Sequence, residues 1–391
     1  MLNTAFSPWP SYSEEEAEKA KQVLLSNKVN YWTGDQCRSF EREFADFADS
    51  QFAIAVSNGT NALELALHGI DIQAGDEVIV PSRTFLATAT SVITAGGVPI
   101  FADVLSDSGN IDPDSVASLI TERTRAIICV HLAGWPCDMD RIMAIAAQHK
   151  LFVIEDCAQA HGAKYNGRSV GSIGDVGCWS FCQDKIMTTG GEGGMVTTNE
   201  QQLWSRMWSF KDHGKSYDAV YHRQHPPGFR WLHESFGTNY RMTEMQAAIG
   251  RIQLKKMSQW TAQRNANADT IREALQGIET IEVPVYPANI IHAQYKLYLY
   301  IKPERLSQHW HRDRIVAEIN ARGVPCYQGS CSEIYLEKCF DDAGLAPAHR
   351  LPNTKALGER SLMLLVHPTL TSQEIETTVA ALKSVLTEAM G

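Results

Sequence analysis

The sequence predicts an α/β protein: a large domain built on a largely parallel sheet with helices on both faces, followed by a smaller α+β domain. Three observations predict it. Between about residues 50 and 200, short apolar runs alternate with longer helix-like segments, the pattern of strands joined by crossover helices. A stretch from 242 to 277 with few helix breakers reads as one long helix able to bridge two domains. The length, 391 residues, exceeds one ordinary domain.

Taken in order, residues 52–57 are the first strand candidate, and 60–69 follow as a helix with Leu63 and Leu67 on one face. Residues 77–81 read as a strand, and 84–95 as a helix ended by Gly96 and Gly97. Further strands are expected at 99–104, 125–131 and 151–155, with a helix at 139–149 between the last two. Two more, near 175–181 and 193–197, lie closer together across a glycine-rich turn. Residues 211–240 are rich in His, Pro, Gly and aromatics without a clear period, a long excursion from the sheet of the kind that usually serves function. Beyond the long helix, 295–301 alternates like a strand, while 312–322 and 372–386 fit helices. The expected division is a large domain over 1–250 and a small one over 251–391.

Composition narrows the function classes. The chain is 44% hydrophobic and 20% charged, ample for a sizeable core and without a disordered bias. A formal net charge of −10 argues against a whole-surface role on nucleic acid or an anionic membrane, while leaving room for a local basic pocket. The N-terminal residues lack a basic segment followed by an apolar one, and no apolar run approaches the roughly 18–20 residues that span a bilayer. Nine scattered cysteines, an odd number, read as reduced thiols of a cytoplasmic protein. Cys129, His131 and Cys137 lie close together, as do Cys157 and His161, but paired ligand spacing is absent, which argues against zinc.

Four segments carry chemistry. Ser57-Asn58-Gly59-Thr60 stands where a strand hands over to a helix, and unpaired amides at a helix N-terminus suit a phosphate. On its own it equally fits a helix cap, with Thr60 or Ser57 as the capping residue. The apolar run Val153-Ile154 ends in Glu155-Asp156, placing carboxylates at the carboxyl end of a strand, where open α/β sheets build their sites. Two solvated acids in a surface turn are the alternative. Lys185 follows Ser180-Phe181-Cys182-Gln183-Asp184 and precedes a turn containing four glycines. Burial there would favour a neutral, nucleophilic amine, although a solvated lysine beside a hairpin fits the same residues. Finally, Gly237-Thr238-Asn239-Tyr240-Arg241 closes the excursion and opens the long helix, with Thr243 as a candidate cap.

In this order the segments resemble the DegT/StrS family of sugar aminotransferases, pyridoxal-phosphate (PLP) enzymes with the aspartate-aminotransferase fold, fold type I. The resemblance covers most of the chain, taking in Val130-His131-Leu132-Ala133-Gly134, Pro81-Ser82-Arg83-Thr84-Phe85 and His367-Pro368. It implies a mostly parallel seven-stranded sheet and an obligate homodimer with shared active sites. It also implies roles. Lys185 would carry the cofactor covalently, and Asp156 would pair with its ring nitrogen. Gln159 would lie beside the ring and Phe85 would stack on it. Gly59, Thr60 and Ser180 would hold the phosphate, with Asn239 reaching it from the neighbouring subunit. A dehydratase branch of the fold carries histidine in place of that lysine, so Lys185 favours transamination. Two departures stand out: Arg83, where the family usually has a bulkier apolar or aromatic residue, and the Cys182-Gln183-Asp184 run.

The implied reaction moves an amino group from L-glutamate, released as 2-oxoglutarate, to a nucleotide-linked keto-sugar, making an amino sugar for surface polysaccharide or glycoconjugate. Within the excursion, Lys211, Lys215, Arg223, Arg230 and Arg241, interleaved with Tyr221, Phe229 and Trp231, form a candidate cationic patch for the sugar's diphosphate. Dimer contacts are the alternative use of those residues. Two rival functions are a non-catalytic PLP-binding regulator and another fold type I enzyme such as a cysteine desulfurase, for which Cys331 would be the candidate thiol.

Overall fold

The computed structural model describes residues 6–228 and 230–390. Its strands, in chain order, are β1 (Phe52–Val56), β2 (Glu77–Pro81), β3 (Val98–Ala102), β4 (Thr124–Val130), β5 (Phe152–Asp156), β6 (Lys164–Tyr165), β7 (Arg168–Ser169), β8 (Val176–Ser180), β9 (Gly194–Thr198), β10 (Ile281–Glu282), β11 (Ile290–Ile291), β12 (Leu297–Ile301), β13 (Cys326–Tyr327) and β14 (Ser361–Leu364).

Seven of them form the main sheet, in the order β1-β9-β8-β5-β4-β2-β3. The pairings from β3 through β2, β4 and β5 to β8 are all parallel, and β9 is inserted antiparallel between β8 and β1. Strands β2 and β8 are buried along their whole length, as expected for a sheet covered on both faces by crossover helices. Parallel pairing has a functional consequence: the carboxyl ends of β2, β4, β5 and β8 open on one edge.

The helices sharpen the sequence reading in three places. The first crossover helix, Gly59–Gly69, is capped by Asn58, whose side chain accepts from the Asn61 amide at 2.8 Å, rather than by Thr60 or Ser57. The second begins at Ala87 instead of residue 84. Ser82 and Thr84 spend their hydroxyls on Thr354 at 2.6 Å and Thr88 at 2.8 Å, and Phe85 is left in the connection. The long helix spans Glu244–Ala274, and Thr243 caps it in a reciprocal box with Gln246.

That helix runs between two hydrophobic cores. Ala247 and Met257 pack into the core of the main sheet, while Ala268 and Ile271 pack with Leu299, Leu362 and Leu382 in a second core. The second core lies against an antiparallel sheet of order β10-β12-β14-β13, the smaller α+β region. Helices Glu14–Leu25 and Gln36–Phe47 precede β1 and were not assigned from the sequence. They pack on the long helix, with Lys256 bonded to Glu16 at 2.7 Å and Arg251 to Glu43 at 2.6 Å.

Candidate active site

The carboxyl edge of the main sheet encloses a cavity of about 570 Å³ lined by Gly59, Thr60, Phe85, Thr88, Asp156, Gln159, Ser180 and Lys185, among others. Seven of the residues singled out in the sequence therefore meet in one place. At its inner end, helix Gly59–Gly69 points its first turn at the end of β8. A Cβ on Gly59 would lie 2.6 Å from the Ser180 Cβ, so glycine is what allows this approach. The approach sets the first-turn amides, which lack intrahelical partners, beside the Ser180 hydroxyl.

Asp156 ends β5 and is buried. Its Oδ1 accepts from the Ala158 amide at 3.1 Å, and its Oδ2 from the Thr88 hydroxyl at 3.0 Å. Thr88 in turn is 2.8 Å from Thr84. Burial raises the Asp156 carboxyl above its ordinary range, and the two hydrogen bonds oppose it. A carboxylate so placed gains from a cationic partner delivered into the cavity. Thr88 was not among the residues read from the sequence; its signal was only its position in the first turn of the helix following β2.

Lys185 sits on the turn after β8, its amide donating to Cys182 at 3.0 Å and its carbonyl accepting from the Trp9 indole at 2.8 Å. Gly190 and Gly191, with φ of 90° and 132°, let the chain double back here. The side chain is 17% exposed, and its Nζ lies 3.9 Å from Asp184 and 5.2 Å from the Tyr295 ring centre. On its far side opens a second cavity of about 560 Å³, lined by Tyr295, Lys296, Ser330, Cys331, Glu337 and Met363 among others. Phe85, 70% exposed, and Gln159 border both cavities, and Gln159 is oriented by accepting from the Ala133 amide at 2.7 Å. Trp9, Tyr295 and Lys296 are distant in sequence from the motifs, and nothing local marked them.

The excursion behaves differently. Lys211 is buried under the Tyr31 ring, 3.9 Å from its centre, with Glu41 at 3.8 Å. Lys215 and Arg241 converge on buried Asp212 at 2.6 and 2.7 Å. These three cations are thus committed inside their own chain, which splits the expected patch. Arg223 is exposed and paired with Asp218 at 2.8 Å and with Glu234, and Arg230 is exposed. Phe229 lies outside the described residues. Asn239 is exposed, bridges to Asp212 through the backbone, and does not line either cavity of its own chain.

The structure also gathers His131, Glu155 and Cys157. Glu155 already accepts from His131 at 3.0 Å and from the amides of Gly171, Ile173 and Gly174 at 2.7–2.9 Å. This cluster braces the floor of the site beneath Asp156.

The cavity's residues fit the cofactor implied by the resemblance: a glycine-opened helix terminus for a phosphate, a buried carboxylate for a ring cation, and a lysine between them and a second chamber. Comparison with known proteins agrees. Residues 10–383 match the DegT/DnrJ/EryC1/StrS aminotransferase family. An aminotransferase from Psychrobacter cryohalolentis has a solved structure similar to this one, with TM-score 0.97 and 61% identity, covering 99% of this chain and 100% of that one. GDP-perosamine synthase of Escherichia coli O157:H7 is 40% identical over 269 residues, 69% of this chain and 71% of that protein. The dTDP-3-amino-3,4,6-trideoxy-alpha-D-glucose transaminase of Streptomyces venezuelae is 34% identical over 360 residues, 92% of this chain and 89% of that protein. The chain belongs to the DegT/DnrJ/EryC1/StrS aminotransferase family and is a pyridoxal-phosphate-dependent transaminase.

Proposed function

We propose that this transaminase moves an amino group from L-glutamate to a nucleotide-linked keto-sugar, with its cofactor carried on Lys185. The observation that carries the assignment is the meeting of two chambers at one lysine, one suited to a phosphate and a ring cation, the other open to substrate. Pyridoxal phosphate, when bound, supplies an aldehyde for amine exchange and a protonated ring that takes up electrons. Gly59, Thr60 and Ser180 would hold its phosphate. Asp156 would keep the proton on the ring nitrogen, and Thr88 and the Ala158 amide keep Asp156 aimed. Phe85 would cover the ring, with Gln159 beside it. Lys185 Nζ removes the proton from the donor's α-carbon, and in the sugar half-reaction it delivers a proton to the carbon that becomes aminated.

The same reading extends to the dimer. Asn239 reaches the phosphate of the neighbouring subunit, and Arg223 and Arg230 meet the substrate's diphosphate, while Arg241, expected from the sequence to join them, is spent on Asp212. Support for a self-association surface comes from the excursion, where Trp231 and Phe236 are 84% and 98% exposed. Nothing in this assignment calls for nucleic acid or a membrane; none of the described helices is long and apolar enough to cross one. A cytoplasmic location follows from substrates and cofactor of this kind.

Sulfur transfer is the weaker reading. Cys331 does line the second chamber and is exposed, but partial desolvation together with the charges of Glu337 and Glu333 raises its thiol, which disfavours the thiolate such chemistry needs. The test is to incubate the PLP-loaded protein and L-glutamate with GDP-, dTDP- and UDP-linked keto-sugars. The expected result is an amino sugar and 2-oxoglutarate in equal amounts. A cofactor spectrum that no amino acid alters would overturn transamination, and sulfide released from cysteine would favour the rival.

A further inference from the structure

The second chamber has a cation of its own. Lys296 lies at the chamber wall, beside the first residue of β12, with its Nζ 4.9 Å from the centre of the Tyr295 ring. Lys185 faces the same ring at 5.2 Å, so the sum of the two distances, about 10 Å, bounds the separation of the amines. Among the described residues, no acidic oxygen lies within ion-pair distance of Lys296. The acids lining the chamber are Asp184 and Glu337. Asp184 is already engaged, accepting from the Tyr295 hydroxyl at 2.5 Å and lying 3.9 Å from Lys185.

The surroundings deepen this positive excess. Arg264 is buried behind Tyr295, its Nη1 donating to the carbonyls of Gln294 and Tyr295 at 3.3 and 3.4 Å and its guanidinium 4.8 Å from the Trp9 ring centre. Its Nε and Nη2 have no hydrogen-bond partner, and no carboxylate neutralises it among the described residues. His367, stacked on Trp9, is pushed down to about 3 by burial, then by Arg264 and Lys296, and so adds no charge. A desolvated cluster of this kind stands to gain from an anion brought in with the substrate.

We propose that Lys296 is the anchor for a carboxylate of the amino-acid donor, a reading that rests on the transamination assigned above. A donor must place its amine at Lys185, and its carboxylates then lie a few bonds away, within the span the shared Tyr295 ring allows. The single ammonium matches the single charge of a carboxylate, whereas a nucleoside diphosphate brings two. Burial, and then Arg264 and Lys185, push Lys296 down to about 8, against the pull of Asp184. The ammonium is therefore present below that pH and lost above it, and donor affinity should fall as pH rises through about 8.

The test uses the PLP-loaded full chain and its Lys296→Met and Lys296→Arg variants. Glutamate is titrated against the cofactor spectrum, and GDP, UDP and dTDP are titrated as binding probes. Lys296→Met should weaken glutamate by about ten- to hundred-fold, the loss of one charge-assisted hydrogen bond, and should abolish the pH dependence near 8. Nucleoside diphosphate binding should stay unchanged, and Lys296→Arg should recover much of the donor affinity. In the unmodified protein, 2-oxoglutarate should protect Lys296 from acetylation, read by mass spectrometry, which needs no variant to fold. Unchanged glutamate binding in a folded Lys296→Met protein, loss of diphosphate binding instead, or no protection by 2-oxoglutarate would each overturn the proposal. If glutamate converts the unmodified protein while these outcomes occur, only Lys296's role is lost. If no amino acid converts it, the transamination reading itself is lost.

Discussion

The carboxyl edge of the main sheet and the excursion at 211–240 both concentrate charged residues, yet they use them in opposite ways. At the sheet edge, Asp156 and Lys185 line an open chamber, and hydrogen bonds hold the carboxylate in place without neutralising it. In the excursion, Lys211, Lys215 and Arg241 are turned inward and matched to Glu41 and Asp212. The first arrangement keeps charge available for a ligand; the second consumes it in holding the chain together. Charge alone therefore says little about function until its partner is known, because an ion pair in a buried setting is costly to break and has little left to offer a ligand.

Five substitutions test this contrast. Lys185→Ala should eliminate turnover and the visible absorbance of the lysine-bound cofactor, measured by steady-state assay and spectrum; near-normal rates would refute its role. Asp212→Asn should cost about 3–5 kcal/mol of stability by removing the buried carboxylate on which Lys215 and Arg241 converge, read by denaturant unfolding. A fully stable variant would show that the excursion's cations are not structural. Asp156→Asn should retain cofactor but slow turnover by roughly ten- to hundred-fold, corresponding to about 1.5–3 kcal/mol for a charge-assisted contact. An unchanged rate and spectrum would remove Asp156 from the site.

Thr88→Val is the finer probe of the same edge. Losing one neutral donor to Asp156 should cost about 1 kcal/mol, or roughly five-fold in rate, and should shift the pH dependence of the cofactor spectrum. Thr88→Ser should restore both, and a Val variant with a normal pH profile would make Thr88 a packing residue only. The smallest effect is expected at Arg223, exposed and already paired with Asp218 and Glu234. Arg223→Ala should leave the melting temperature unchanged and raise the keto-sugar KM a few-fold, while the glutamate half-reaction stays intact. Equal losses in both half-reactions would assign Arg223 to dimer contacts.

Much of the fold was legible because parallel strands buried on both faces leave continuous apolar runs, as in Glu77–Pro81, whose bounds the sequence reading matched. Helix Met139–His149 was equally legible, since its apolar face and the cap at Asp138 are local features. The helices before residue 50 escaped because Glu14–Leu25 owes its place to contacts with the long helix more than two hundred residues away. The start of the second crossover helix slipped where side chains had distant partners: Ser82 is drawn to Thr354, and the chain bends through 82–84 before the helix begins at Ala87.

The sequence by itself determined the strand–helix alternation, the family resemblance, and the candidate lysine, aspartate and phosphate-binding segments, all of which are written in contiguous residues. Only the tertiary structure decided which charges are free. Arg83, odd in its motif, turns out to tie Ser332 and Ser361 together at 2.8 and 2.7 Å, at the edge of the second chamber. Lys296 carries no motif, yet it faces the same ring as Lys185. Hydrophobic period and turn chemistry are local and survive in one dimension, whereas a Coulomb interaction depends on distance and dielectric, and folding alone sets both.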